Sequence, residues 1–255
     1  MLLGIDATNW VHQLYHSQRG MNVLAICAKR LAALVDHVNP SDVVACFDAR
    51  SFRHDLDKDY KSGRKPKDSA LIDYLHAAPQ EFAKSAMVVK SEGCEADDCL
   101  ATLAKIGRHQ GERVVIASPD KDLRQCLAAG EVTILRDFAT ETVQDKGTVV
   151  KSPNWYAAIN LHVDFGLLPE QWIEFQMLCG DGGDDIKGCP GWGPVTSAAA
   201  LAKCGSLSVC WQDPWRVPCT QKQRDSLLVF RRNADHVRKL VTLRTDVSEV
   251  YDALR

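Results

Sequence analysis

The chain has 255 residues, 45% of them hydrophobic and 25% charged, with a formal net charge of −2. That balance belongs to ordinary globular proteins and excludes collagen, coiled-coil and linker sequences. No stretch approaches the roughly 18 uncharged apolar residues of a membrane span, so no membrane role is expected. The length suits two lobes that fold without a disulfide or metal staple.

Met1-Leu2-Leu3-Gly4-Ile5-Asp6 reaches a carboxylate without a basic n-region or cleavage site, so an intracellular protein is expected. Leu2–Ile5 and residues 42–47 are short apolar runs ending at Asp6 and Asp48, which reads as two buried strands. Between them, residues 22–38 carry one apolar stripe and stop at Asn39-Pro40, a helix. His12 and His16, four apart on an earlier helix, read as ordinary helix residues. Residues 95–106 again have helical spacing, 113–118 form a β-branched strand, and 131–135 look like one more. Continuous apolar strands alternating with helices predict an α/β fold with a mostly parallel central sheet and flanking helices.

From about residue 165 the texture changes to helices broken by glycine and proline. The segment 169–178 is helical, 180–193 holds six glycines, Pro194 opens a helix to about Lys203, and 220–243 supply two more helices. The expected division is therefore a sheet lobe over 1–165 and a helical lobe over 166–255. Ten cysteines are scattered from Cys27 to Cys219 with no CxxC pair, which reads as reduced, packed thiols. Lysine and arginine concentrate in two stretches, seven against three aspartates over 50–67 and eight against two over 216–244. Such stretches are solvated faces or phosphate contacts, and 61–68 is polar enough for a mobile loop.

Asp6, Asp48 and Asp120 each follow a predicted strand at its carboxyl end, where open parallel sheets form ligand sites. Glu95-Ala96-Asp97-Asp98 opens a helix, Asp120 and Asp122 share a loop, and Asp181 and Asp184 share another. Singly, such acids complement helix dipoles or cap amides. Together they would repel by several kcal/mol per close pair unless cations joined them. Oxygen ligands without neighbouring His or Cys point to magnesium or manganese. Two ions about 3.5 to 4 Å apart would grip a phosphodiester during in-line displacement, the chemistry of a nuclease.

These residues, in this order, resemble the 5′-nucleases or flap endonucleases, with the likeness strongest to bacteriophage enzymes and the 5′-nuclease domain of bacterial DNA polymerase I. It spans almost the whole chain. Its anchors are Asp6, Asp48, Phe52-Arg53, Tyr60-Lys61, Arg64, Glu95-Ala96-Asp97-Asp98, Ser118-Pro119-Asp120-Lys121-Asp122-Leu123, Gly180-Asp181-Gly182-Gly183-Asp184 and Leu243-Arg244-Thr245-Asp246-Val247. The resemblance implies a PIN-like sheet lobe, an arch or clamp around 50–90 that admits a free 5′ end, and a helix-three-turn-helix over 180–203. It implies a 5′-3′ exonuclease that also cuts flapped or branched DNA using two Mg2+ ions, with Mn2+ substituting.

By that resemblance Asp48, Glu95, Asp97 and Asp98 serve one metal, Asp120, Asp122, Asp181 and Asp184 the second, and Asp6 bridges through water. Lys61 steadies the scissile phosphate with Arg53 and Arg64. Tyr60, Lys61, Arg64 and Lys65 contact DNA from the arch. Lys187, Gly188, Gly191, Gly193, Thr196 and Lys203 contact the duplex, with K+ at the helix-three-turn-helix ligated by carbonyls and Thr196. A monomer is expected, in bacterial or phage-infected cytoplasm, acting free or beside a separate polymerase. Three positions depart from the family: Asp185 where Asn is usual, Trp192 for Ile and Val195 for Lys. They weaken duplex contact unless Lys187 and Lys203 substitute, and Trp192 reads as core filler. An RNA-preferring nuclease and a non-catalytic DNA-binding module remain as alternatives.

Overall fold

The computed structural model describes residues 1–17, 21–143 and 147–255. In chain order its elements are β1 (Leu2–Asp6), α1 (Ala7–Ser17), α2 (Val23–Val38), β2 (Asp42–Cys46), α3 (Arg53–Leu56), α4 (Ser69–Phe82), β3 (Met87–Val89), α5 (Ala96–His109), β4 (Val114–Ala117), β5 (Val132–Val143) and β6 (Gly147–Tyr156). There follow α6 (Ala158–Phe165), α7 (Trp172–Cys179), β7 (Gly180–Asp181), β8 (Ile186–Lys187), α8 (Pro194–Cys204), α9 (Leu207–Gln212), α10 (Gln221–Phe230), α11 (Ala234–Val241) and α12 (Ser248–Ala253). They divide into two compact units, the first made of Met1–Ser51, Lys65–Ala157 and Leu243–Arg255, the second of Phe52–Arg64 and Ala158–Thr242.

The first unit is built on a six-stranded sheet in the order β3-β2-β1-β4-β5-β6. Its first five strands run parallel and β6 runs antiparallel to β5. The expected mostly parallel sheet with flanking helices is thus what the chain forms. All of β1 and β4 is buried, as strands covered on both faces must be. On one face Trp10, Leu31, Leu34, Leu71 and Phe82 join Leu3 and Ile5 in one apolar cluster. On the other, α5 lies directly on β1. A Cβ at Gly4 would stand 2.6 Å from Leu100 Cδ2, so only glycine allows that approach. The chain runs β1, β2, β3 to one side and then crosses to β4, placing a switch point between β1 and β4 at the carboxyl ends of the strands.

Sequence periodicity stops the last strand at residue 135, whereas β5 and β6 form a long hairpin with register shifts at Leu135/Asp137 and Asp137/Ala139. The bulges and the exposed, polar outer half of β5 erase the alternation that marks a strand. Tertiary contacts hold the bulged region instead. The buried Arg30 guanidinium lies 4.3 Å from the Phe138 ring and 4.8 Å from that of Trp10, and pairs with Asp137 at 3.0 Å.

The second unit is helical apart from the two-residue ladder of β7 and β8. The predicted helix over 169–178 opens as a single 3-10 turn at Pro169–Gln171 and continues as α7. Its core includes Trp172 stacked on Phe175 at 4.7 Å, with Phe165 edge-on to both.

The unit borders differ from the expected break at 165/166 because three segments change sides, one of them α6 (Ala158–Phe165), which belongs to the helical unit. Residues 52–64 join the helical unit, tied there by Arg53 to the Leu240 carbonyl and by a 2.9 Å His236–Asp57 pair. Residues 243–255 join the sheet unit, where Leu243 N–H donates to Gln125 and Arg244 N–H to Asp98. The segment around 50–90 is accordingly split: α4 sends Leu71, Ala78 and Phe82 into the sheet core. Among the described residues no helix is long and apolar enough to cross a membrane, and all ten cysteines are free thiols.

Candidate active site

Strand register sets the carboxylates of the first unit. Asp6 pairs with Cys46 at the end of β1, and Ile5 pairs with Ala117, so Asp48 and Asp120 leave from the same sheet edge. Each is then oriented by a short hydrogen bond. Ser118 Oγ donates to Asp6 Oδ2 at 2.8 Å while the Asn9 N–H donates to Oδ1 at 3.0 Å. The Ala96 N–H at the start of α5 donates to Asp48 Oδ1 at 2.9 Å, and the Asp48 N–H donates to Thr8 Oγ1 at 2.8 Å. The Asp120 N–H rests on Ser118 Oγ, and the Asp122 N–H on Asp120 Oδ1.

Asp97, on the first turn of α5, faces the same edge. Burial pushes its carboxyl well above the ordinary 3.8, and Asp120, Asp6, Asp122 and Asp48 push it further. Burial and then Asp48 raise Asp6 to about 7. Five carboxylates at mutual electrostatic range in a partly dry site fit a cation as the balancing charge. Among the described residues no three His, Cys, Asp or Glu side chains are spaced to hold an ion by themselves.

The raised values have a stability consequence. A carboxyl that titrates higher folded than unfolded stabilises the fold only while protonated, so stability falls as pH rises from about 4 through 7. In chelator we expect the melting temperature to drop by roughly 10 °C between pH 5 and pH 8. Millimolar Mg2+ or Mn2+ restores it at pH 8 and does little at pH 5. A melting temperature independent of both would show that the carboxylates are not strained by one another.

Asp98 takes a different position from Asp97. It is fully buried, with Oδ2 accepting the Glu95 N–H at 3.0 Å and Oδ1 the Arg244 N–H at 2.9 Å. It completes a capping box on α5 and fastens the terminal segment. Glu95 is the partner N-cap of that box and is half-buried.

Asp181 and Asp184 belong to the second unit, in the hairpin after α7. Asp181 Oδ1 accepts the Gly183 N–H. Asp184 holds the turn that carries the predicted phosphate contacts: Arg64 at 2.6 Å, Lys61 Nζ at 3.4 Å and the Tyr60 hydroxyl at 3.2 Å. The Asp184 carbonyl also accepts the Lys61 N–H, with Lys61 at φ 55. The departure at Asp185 now has a cause, since its Oδ2 accepts the Gly63 N–H at 2.9 Å and anchors the same turn. The predicted loop 61–68 is therefore fastened at its first half.

Arg53 corrects the sequence expectation of a phosphate contact. It is 2% exposed, and its guanidinium donates to the Leu240 and Thr242 carbonyls at 2.8 and 2.9 Å, capping the end of α11. We expect Arg53→Ala to cost on the order of 3 kcal/mol, read as a lower denaturation midpoint. Cutting per folded molecule should stay unchanged; a specific loss of rate would return Arg53 to the chemistry.

Gly188 is likewise needed by the fold, because a Cβ there would stand 2.3 Å from Gly180 N. Gly191, at φ 79, and Gly193 face open space, as a backbone approached by phosphate must. Trp192 is buried, its indole N–H donating to the Gln223 carbonyl, which agrees with core filler. Val195 is 85% exposed on the first turn of α8, and Lys65, Lys187 and Lys203 are exposed. Thr196 Oγ1 accepts from Gln223 Nε2 at 3.4 Å, so it is already engaged by a protein donor.

The profile described as the 5′-3′ exonuclease N-terminal resolvase-like domain matches residues 1–153, and that of the 5′-3′ exonuclease C-terminal SAM fold matches 167–253. The chain belongs to the 5′-3′ exonuclease family. Flap endonuclease Xni of Edwardsiella ictaluri is 34% identical, covering 97% of this chain and 93% of the relative. The Serratia proteamaculans protein of the same name is 31% identical over 97% and 94%. Among solved structures, the T5 5′-exonuclease with bound zinc superposes with a TM-score of 0.78 at 20% identity, covering 99% of this chain and 93% of the other. Human GEN1 with Holliday junction DNA gives 0.62 at 15% identity, covering 95% and 61%.

As a 5′-3′ exonuclease family member this chain is a nuclease, and its fold is that of the T5 enzyme. Two supports of its site were given no role in the sequence reading, Ser118 being named only within a family anchor and Thr8 not at all. Ser118 bridges Asp6 and the Asp120 loop, and Thr8 holds the Asp48 backbone. The serine was visible, standing two residues before Asp120, whereas Thr8 became legible only once β1 and β2 were paired.

Proposed function

We propose that this nuclease hydrolyses phosphodiester bonds of DNA near a free 5′ end, as a 5′-3′ exonuclease and flap endonuclease assisted by two divalent cations. The observation that carries the reading is the meeting of Asp6, Asp48, Asp97, Asp120 and Asp122 at one sheet edge with Asp6 and Asp97 raised by burial and mutual repulsion. Asp48, Glu95 and Asp97 would hold one ion, Asp120 and Asp122 the other, with Asp6 acting through water. For Asp181 and Asp184 the family resemblance alone supports a metal role. Magnesium, or manganese in its place, supplies charge stabilisation to the attacked phosphodiester when bound.

The protein's own groups do the remaining work. Ser118 and the Asn9 N–H keep Asp6 oriented, and the α5 N-terminus keeps Asp48 oriented. Lys61 and Arg64, held ready on Asp184, offer two cations to the scissile phosphate, with Tyr60 beneath Lys61 at 4.9 Å. Lys187, Lys203 and the main chain at Gly191 and Gly193 contact duplex phosphates. With Thr196 engaged by Gln223, a potassium site in this unit would rest on main-chain carbonyls, and no step here depends on it. The proposed working form is a monomer in the cytoplasm of a bacterial or phage-infected cell, acting free or beside a separate polymerase.

The test is a 5′-labelled flap incubated with magnesium, calcium or chelator. Magnesium alone should support cleavage, while calcium permits binding without product. Absence of product in magnesium and manganese overturns the reading, and faster cutting when the 5′ strand is RNA redirects it to an RNA-preferring nuclease.

A further inference from the structure

A cavity of about 210 Å³ opens beside Asp48 in the first unit, lined by Thr8, Phe47, Lys67, Ile72, Leu75, His76 and Lys90. Its make-up differs from that of the acidic edge. Lys67 precedes α4 and Lys90 follows β3, so two segments distant in sequence bring two lysines to the lining of one small space. Both lysines are exposed, and among the described residues neither has an ion-pair or hydrogen-bond partner. His76 adds an imidazole, and Ile72, Leu75 and Phe47 supply apolar lining. Asp48 is the one acid in the lining, and its Oδ1 is turned to the Ala96 N–H.

We propose that this cavity receives the terminal 5′-phosphate of the strand being cut, with Lys67 and Lys90 as its contacts. The inference rests on the nuclease reading above and adds a preference to it. Three features select a terminal phosphate over a phosphate inside the strand. The two lysines outweigh the one aspartate, so the lining is net positive and attracts a terminal monoester, at about −1.5 to −2 charge at pH 7, more strongly than an internal phosphodiester at −1. The volume lies below the roughly 300 Å³ at which pockets for whole small molecules begin, so it holds a phosphate with part of its sugar but no continuing strand. Phe47, Ile72 and Leu75 in the same lining suit the sugar of that last nucleotide. Lys67 and Lys90 are thus positioning residues for the exonuclease reaction.

The experiment compares recessed duplexes ending in 5′-phosphate or 5′-hydroxyl, and a long flap whose end lies many nucleotides from the cut. Wild type should show a KM about tenfold lower for the phosphorylated end at pH 8, shrinking below pH 6 as the phosphate loses its second charge. The Lys67→Ala/Lys90→Ala variant should remove the difference while cutting the long flap at the wild-type rate, and Lys67→Arg/Lys90→Arg should restore it. Anisotropy of short labelled oligonucleotides in chelator reads the same preference without cleavage. Equal affinity of wild type for the two ends, or an unchanged ratio in the alanine variant, overturns the proposal. Wild type that cuts no DNA at all would sink the nuclease reading instead, and the anisotropy ratio would still decide this one.

Discussion

Asp97→Asn should abolish cutting of a 5′ flap, by about a thousandfold or more in single-turnover rate, while making the metal-free protein more stable. The first effect follows from losing an anionic ligand, since cation-borne charge stabilisation is worth several kcal/mol and each 1.36 kcal/mol is tenfold. The second follows from the same group's surroundings. Burial and four neighbouring aspartates disfavour the Asp97 carboxylate, and a neutral amide of the same shape removes that repulsion. Thermal melts in chelator should therefore rise at pH 8, and the gain should shrink as the pH falls and wild-type Asp97 takes up its proton. Opposite signs of the two effects identify a functional carboxylate kept against stability. A variant that is both inactive and less stable would assign Asp97 a structural role like that of Asp98.

Lys61→Ala should slow cutting by about a hundredfold to a thousandfold with little change in duplex affinity, the usual result of removing one donor aimed at developing charge. Its backbone and side chain are both held in place, because the N–H is fixed to the Asp184 carbonyl and the ammonium lies between Asp184 and the Tyr60 ring. Single-turnover rates at saturating enzyme, beside binding in calcium, separate the two quantities. An unchanged rate removes Lys61 from the chemistry. An affinity loss equal to the rate loss makes it a plain binding residue. Arg64→Ala should behave similarly but more weakly, because its guanidinium is exposed and screened by solvent.

The two units were legible to different degrees. β1, β2, β4, α2, α5 and α8 stand close to where apolar runs, helix stripes and the proline start put them. Each is a local pattern in which burial on both faces or one stripe leaves a direct trace in composition. The β5–β6 hairpin was not legible past residue 135, since its outer half is solvated and its bulges break the period of two. Nor were the true attachments of 52–64 and 243–255. Those depend on side chains meeting backbone groups far along the chain, such as Arg53 on the Leu240 carbonyl and Asp98 on the Arg244 N–H. No periodicity records such pairs.

The candidate site divides in the same manner. The sequence alone determined that aspartates would leave the carboxyl ends of three strands, because strand register carries residue order directly into space, and it supplied the family through motifs in fixed order. Only the tertiary structure decided which acids and cations remain available for chemistry. Asp97 and Asp98 are neighbours of one type, yet a helix turns them apart, one toward Asp6 and Asp120, the other onto two backbone amides. Arg53 and Arg64 look equally basic in the sequence, yet one is buried as a helix cap and the other stands in solvent on Asp184. The physical reason is that a charge's use is set by its hydration and its partners, and both are fixed by packing.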